Sequence, residues 1–234
     1  MLGESWTKMS GKKTEVMACS RDGGEVINII DRKDIPLNQV AHFKYLGSDM
    51  SETGGCEGAV RERIKAAWIK WRGLTGVLCD KRIMLRLKAK IYKQVIRPVL
   101  LYSVETMAMK KKEENKLAVT EMKMLRWMAG ISLREKRTNE EIRREVGVVS
   151  IVEKCRESRL RWLGHVERMK EDNGVSGVRK LEVGKRKRGR PRMRWEDKVR
   201  EDMRLQKVDQ TTAQDRKEWR KKTMAADPAT AGKG

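Results

Sequence analysis

The sequence predicts a mainly α-helical protein, in which a small antiparallel β remnant precedes a helical bundle, a basic extended arm and short C-terminal helices. Apolar residues recur at helical spacing from Val60 onward, and hydroxyl residues followed three positions later by glutamate mark helix starts. Hydrophobic residues make up 38% of the 234 residues, no more than the charged ones. This composition favours helices with narrow apolar stripes over a thick sheet core.

The chain is strongly basic, with a formal net charge of +22 and a pI of about 10.1. A compact body of this charge repels itself unless a polyanion neutralises it, so nucleic acid is the first expected partner. An anionic membrane surface is the alternative, but no stretch approaches the roughly 20 apolar residues of a spanning helix. The N-terminus lacks the apolar core of a signal peptide, so we expect an intracellular protein that is not secreted.

The cysteines and the known catalytic motifs favour no chemistry of the chain's own. The four cysteines stand far apart and form no CxxC pair: Cys19, Cys56, Cys79 and Cys155. Neither a disulfide scaffold nor a zinc ribbon is therefore expected, and we predict no metal and no cofactor. The sequence also contains no phosphate-binding GxxxxGK[ST] loop, no HExxH and no GxSxG. We expect no catalytic centre.

Residues 1–50 predict the β remnant. The runs TEVMAC, VINII and AHFKYL have strand length, and RDGG and a proline-containing turn separate them. Three such strands do not close a domain. We therefore expect another domain or a protein partner to cover them.

Residues 57–170 predict the helical domain. The first helical face consists of Val60, Ile64, Ala67, Trp68, Trp71, Leu74 and Leu78. A second run places Leu87, Ile91 and Val95 on one side and kinks or restarts at Pro98, because proline lacks the backbone donor. It continues from Leu101 to Met109. A third run, KLAVTEMKMLRWMAG, ends at its glycine.

Two capping boxes predict the next helix starts. Thr138 with Glu141, and Ser150 with Glu153, give helices over about 139–146 and 151–169. Together they have the outline of a helix-turn-helix with a basic second helix, although any two short packed helices share this outline. Residues 171–195 then predict a basic linker or arm. Residues 196–234 predict short helices, the last over about 212–222, and a disordered tail.

The arm contains the run KRKRGRPRMRW, which resembles an AT-hook at Arg188, Gly189, Arg190 and Pro191. Glycine lets the backbone sink into a narrow minor groove, proline keeps it extended, and arginines lie along an A·T-rich floor. The flanking residues expected to contact phosphates are Lys185, Arg186, Lys187, Arg192 and Arg194. The same run fits a nuclear-import signal or a solvated charge run, and we expect the protein to be nuclear.

Six motifs occur in a fixed order along the chain: KKTEVMACSRDGG, AHFKYLGS, RPVLLYSVETMAM, EMKMLRWMAG, RLRWLGHVERM and GRPRMRWEDKVREDM. In this order they resemble the C-terminal part of the reverse transcriptase of a LINE-type, non-LTR retrotransposon: the end of the palm, the thumb and the basic tail. The resemblance covers the chain from about Lys12 to Pro228. The sequence departs from the family at Ser103 and Met107, where the family commonly has glycine and tryptophan.

The resemblance implies two sets of nucleic-acid contacts. One is the primer grip, a strand turn that supports the primer end, at Phe43, Lys44, Tyr45, Leu46 and Gly47. The other lies on the thumb, which such polymerases lay along the template-primer duplex, at Arg97, Arg126, Arg161 and Arg168. The alternatives are that the aromatic residues anchor an edge strand and that the arginines are solvated helix charges.

Polymerases of this family hold their metal ions with paired aspartates, and the sequence has no Tyr/Phe-x-Asp-Asp turn. We therefore expect a fragment that binds RNA or DNA, or both, through its basic thumb and arm and catalyses nothing. One alternative is a nuclear structural or interaction protein, whose helices bind a protein partner while the basic run serves import or A·T-rich DNA contact. The other is a polymerase subunit that receives its palm from another chain.

Overall fold

The computed structural model describes residues 14–18, 29–30, 35–45, 48–169, 174–175 and 193–228. The described part is mainly α-helical, as the sequence predicts. The chain divides into two compact units, residues 1–62 and 63–234.

Two small strand pairs form the β part of the first unit. Strand β1 (Glu15–Val16) pairs in parallel with β2 (Asn38–Gln39), and β3 (His42–Tyr45) pairs antiparallel with β4 (Ser48–Ser51). The predicted antiparallel pairing is thus wrong for β1 and β2. A parallel pair needs a connection of a dozen or more residues, and 21 residues separate Val16 from Asn38 in the sequence.

The first helical run follows the predicted face. Helix α1 (Glu57–Gly73) is followed by the short α2 (Thr75–Leu78), with Leu74 as the non-helical residue between them. Ala67, Trp71 and Leu78 are almost completely buried. Their spacing places them on one side, as the periodicity predicts.

The second run turns a different face inward from the predicted one. Helix α3 (Leu85–Ile91) continues into a π-helical turn (Tyr92–Ile96), and α4 (Arg97–Leu100) begins next to Pro98. Leu87 and Val95, predicted on the apolar side, are 47% and 39% exposed. The buried positions are Ala89, Tyr92, Ile96 and Leu100, together with the charged Lys88 and Arg97. The spacing of the apolar residues predicted the wrong buried face, because long charged side chains share the face that is buried.

The chain leaves helical structure after α4, instead of continuing to Met109 as predicted. Ser103 has a φ of 62°, in the left-handed region, and a 3₁₀ turn (Val104–Thr106) follows. This conformation costs an L-residue roughly 1–2 kcal/mol and costs glycine little. The backbone therefore gives a physical reason for the glycine that the resembled family commonly has here.

Local capping signals place the next three helices as predicted. Gly130 ends α5 with a φ of 71°, and Thr138 begins α6 with a capping box to Glu141. Ser150 begins α7 as predicted, but its hydroxyl accepts a hydrogen bond from the backbone N–H of Val152, and the predicted capping box with Glu153 does not form. The bounds are α5 Lys111–Ala129, a 3₁₀ turn Leu133–Glu135, α6 Asn139–Val146 and α7 Ile151–Glu167.

The last C-terminal helix begins at Arg216, about four residues later than predicted. The elements are α8 (Trp195–Gln206), a 3₁₀ turn (Gln210–Gln214) and α9 (Arg216–Thr223). Helix α9 begins after Asp215, because this carboxylate accepts hydrogen bonds from two backbone N–H groups of the first turn. The following chain, predicted to be a disordered tail, is fixed at Asp227, which pairs with a buried arginine.

Helix α7 is the centre of the second unit and packs against α5, α8 and α9. A buried ion network fixes α8 to its neighbours. Arg159 donates to Asp202 at 3.1 Å and to Glu114 at 3.0 Å, and Lys198 donates to Glu114 at 3.2 Å. These neighbours cover part of α7, and the helix-turn-helix outline stays a prediction. Across the described ranges, none of the helices combines the length and apolarity needed to span a bilayer.

Candidate nucleic-acid interface

A cleft of about 540 Å³ lies between α7 and α9 in the second unit. Its walls combine positive charge with aromatic rings. The lining residues are Glu105, Ser158, Arg161, Trp162, His165, Arg168, Arg216, Trp219 and Arg220. Four arginines in one concave site favour a negatively charged ligand.

Helical spacing brings the basic side chains of each wall together. On the α7 side Arg161, His165 and Arg168 follow one another at intervals of four and three, so they share one face. On α9, Arg216 and Arg220 are one turn apart, and both are exposed. The two helices thus present cations to the same space.

A small apolar core supports the floor of the cleft. Its buried members are Leu160, Leu163, Val199, Ala213 and Trp219. The indole Nε1 of Trp219 donates to the carbonyl of Leu160 at 2.8 Å. Gly164 allows this approach, because a Cβ at that position would collide with the indole. The glycine of the RLRWLGHVERM motif is therefore required by packing.

Backbone contacts fix two other parts of the lining. The guanidinium of Arg168 donates to the carbonyl of Ala213, which directs it across the end of α7. The indole Nε1 of Trp195 donates to the carbonyl of Glu105 at 2.7 Å, which ties the start of α8 to the cleft wall. These contacts preorganise the site.

The positive charges of the cleft are only weakly compensated. Arg161 is 60% exposed and lies 3.7 Å from Glu157. Within the part of the chain that the structure describes, no carboxylate lies within 4.0 Å of the guanidinium of Arg216 or Arg220. An uncompensated pair of cations in a concave site attracts anions.

The structure brings together two of the four predicted thumb arginines, Arg161 and Arg168, and places the other two elsewhere. Arg97 is only 4% exposed, and its Nη1 donates to both carboxylate oxygens of Asp227 at 2.9 and 3.0 Å. Arg126 donates to the carbonyl of Arg137 at 2.8 Å. Arg97 and Arg126 thus support the fold outside the cleft.

The predicted primer-grip residues lie on or next to β3. Lys44 and Tyr45 are exposed and Phe43 is half-buried, while Leu46 and Gly47 lie outside the described residues. Within the strand pair Phe43 is opposite Met50 and Lys44 is opposite Asp49.

The predicted arm residues 185–192 lie outside the described residues. Arg194 is described and is the N-cap residue of α8, where its backbone N–H donates to the carboxylate of Asp197 at 3.2 Å. The AT-hook-like contact stays a prediction.

Sequence reasoning missed Trp162, His165, Arg216 and Arg220. The spacing of His165 relative to Arg161 and Arg168 was a signal that could have found it. Arg216 and Arg220 lie about fifty residues further along the chain, and no local pattern links them to α7.

The most strongly shifted titratable groups lie in the core. Burial raises the pKa of the Cys155 thiol to about 12. Burial also raises the pKa of Glu121, which accepts hydrogen bonds from the hydroxyl of Tyr92 and from the backbone N–H of Ile151, each at 3.0 Å. These groups support packing and the start of α7.

Comparison with known proteins found one informative similarity. Over 199 residues the chain is 27% identical to a Caenorhabditis elegans protein that is named as transposon-derived, F52C9.6. The match covers 78% of this chain and 70% of the relative. It supports a transposon-related origin. No family model matches the chain, and no solved structure matches it.

Proposed function

We propose that the chain corresponds to the C-terminal part of the reverse transcriptase of a LINE-type, non-LTR retrotransposon, and that it binds RNA or DNA through its basic helical domain and arm. The order of the six motifs and the transposon-derived relative support this origin. The observation that carries the binding function is the cleft, in which four arginines from two elements of the fold converge.

The chemistry of the cleft fits phosphate groups. Guanidinium groups pair with phosphate oxygens through planar, charge-assisted hydrogen bonds. Each neutralised phosphate releases condensed counterions, so the affinity falls with salt at a log-log slope of about 0.9 per contact on duplex DNA. The basic residues of the arm add to the same electrostatic attraction.

The test compares two triple variants of equal charge. R161A/R216A/R220A removes cleft arginines, and R86A/R134A/R144A removes exposed arginines outside it. Fluorescence anisotropy with labelled DNA and RNA, measured over a salt series, should give the cleft variant weaker binding and a slope smaller by about 2 to 3. The control variant should change less. Equal losses in both variants, or wild-type binding that barely responds to salt, would contradict the proposal.

We also propose that this chain transfers no nucleotides itself, because its sequence lacks the aspartate pair. Primer-extension assays with magnesium or manganese should give no template-directed product. Any such product would instead favour the polymerase-subunit alternative.

One observation favours the second candidate, a nuclear protein that uses its helices to bind a protein partner. Trp127 is 61% exposed and contacts Trp68 with ring centroids 5.8 Å apart, so an apolar surface lies open on α5. Replacing Arg188, Arg190 and Arg192 with alanine separates the two candidates. Lost nuclear entry with unchanged nucleic-acid affinity would favour the interaction protein.

A further inference from the structure

We infer that the cleft binds a single-stranded segment of nucleic acid, with a base stacked on Trp162 and the adjoining phosphates held by Arg216 and Arg220. This inference rests on the proposed function and names the form of nucleic acid that the cleft takes. Double-stranded nucleic acid is the competing ligand.

The size of the cleft favours a single strand. Its volume of about 540 Å³ lies within the range of roughly 300–1,000 Å³ that is typical of small-molecule pockets. Such a space holds a unit of about one or two nucleotides. A duplex is much wider, since its major groove alone measures about 12 Å across, and could only lie over the mouth of the cleft.

Trp162 supplies a surface for stacking. Its indole lines the cleft, is half-buried, and is supported by the ring of His165, whose centroid lies 5.4 Å away at a tilt of 45°. A held aromatic ring next to cations is the arrangement on which single-stranded bases stack, and it tolerates any base because each has a π face. Paired bases in a duplex cannot offer this face to the indole.

Arg216 and Arg220 are placed to hold the phosphates next to a base on Trp162. Arg216 and Arg220 lie on successive turns of α9, with Cβ atoms about 5–6 Å apart for this spacing, so both can contact one stretch of backbone. Glu105 lines the cleft as well, and its carboxylate repels phosphate but accepts hydrogen bonds from exocyclic amino groups of bases. The backbone is therefore expected along α9 and the base against α7.

The experiment measures the affinity of the full chain for fluorescent 12-nucleotide single strands, DNA and RNA of mixed sequence, and for the matching 12-base-pair duplex. W162L should weaken single-strand binding by about 5- to 150-fold, the range for loss of one stacked base, and should leave duplex binding nearly unchanged. W162F should restore most of the affinity. W127L removes another exposed tryptophan outside the cleft and should have little effect.

Salt dependence separates stacking from charge. W162L should keep the wild-type salt slope, whereas R216A/R220A should lower the slope on single strands by about 1.4, or 0.7 for each phosphate contact. Circular dichroism checks that each variant is folded. If W162L does not fold, the single-strand affinity of W162F and the salt slope of R216A/R220A test the inference instead.

The outcomes distinguish this inference from the proposed function. The single-strand site would be overturned if W162L lost affinity equally for single strands and duplex, or if W162L and W162F left the single-strand affinity unchanged. Duplex binding by the wild-type protein would still support the proposed function. Heparin binding as tight as that of the oligonucleotides, with no effect of W162L, would show a general polyanion site. A preference for either RNA or DNA supports the inference, provided that it requires Trp162.

Discussion

Replacing Gly164 with alanine tests the packing that forms the floor of the cleft. In an ordinary helix interior this substitution stabilises by up to about 1 kcal/mol, because glycine loses more backbone entropy on folding. Here the added Cβ meets the indole of Trp219, which is itself held by its hydrogen bond to Leu160. Overpacking of a tight core costs about 1–3 kcal/mol. We therefore expect G164A to lower the free energy of unfolding by up to about 2 kcal/mol and to weaken nucleic-acid binding.

The matched control is Gly73, the last residue of α1, where an added Cβ meets nothing within 4 Å. G73A should leave stability unchanged or raise it slightly. Urea unfolding followed by circular dichroism measures both variants, and anisotropy measures their binding. A G164A variant as stable as G73A would refute the argument that Gly164 is required for the approach of Trp219.

Three further predictions concern the fold. Ser103→Gly should raise the free energy of unfolding by about 1 kcal/mol, because the left-handed φ of 62° costs serine but not glycine. Ser132→Gly, at a φ of −80°, should bring no gain in the same denaturation assay. Equal effects of the two substitutions would contradict the reasoning. Asp227→Asn leaves a buried guanidinium without its charged partner and should destabilise by about 1.5–3 kcal/mol in urea unfolding, whereas a neutral result would mean that the tail is not fixed there. At pH 8 the buried thiol of Cys155, with a pKa of about 12, should react with iodoacetamide far more slowly than the partly exposed Cys79. Peptide mass spectrometry measures both rates in the native protein. Similar rates would show that Cys155 is accessible.

Short-range signals predicted several parts of the fold correctly. Thr138, Ser150 and Gly130 mark helix ends because their roles depend on hydrogen bonds and backbone angles within a few residues. The inward face of the run from α3 to α4 was predicted wrongly, since hydropathy assigns lysine and arginine to solvent. The structure gives those charges buried partners: Lys88 donates to the carbonyl of Met128 at 3.2 Å, and Arg97 pairs with the tail.

The sequence by itself determined that the chain is mainly helical and where α6 and α7 begin, and its charge predicts a polyanionic partner. These properties depend on composition and on neighbours in the chain, which the sequence contains directly. Only the tertiary structure decided which arginines meet. It brought Arg216 and Arg220 of α9 to Arg161 and Arg168 beside α7, and buried Arg97, because the positions of distant charges depend on how Trp219 and its apolar neighbours pack.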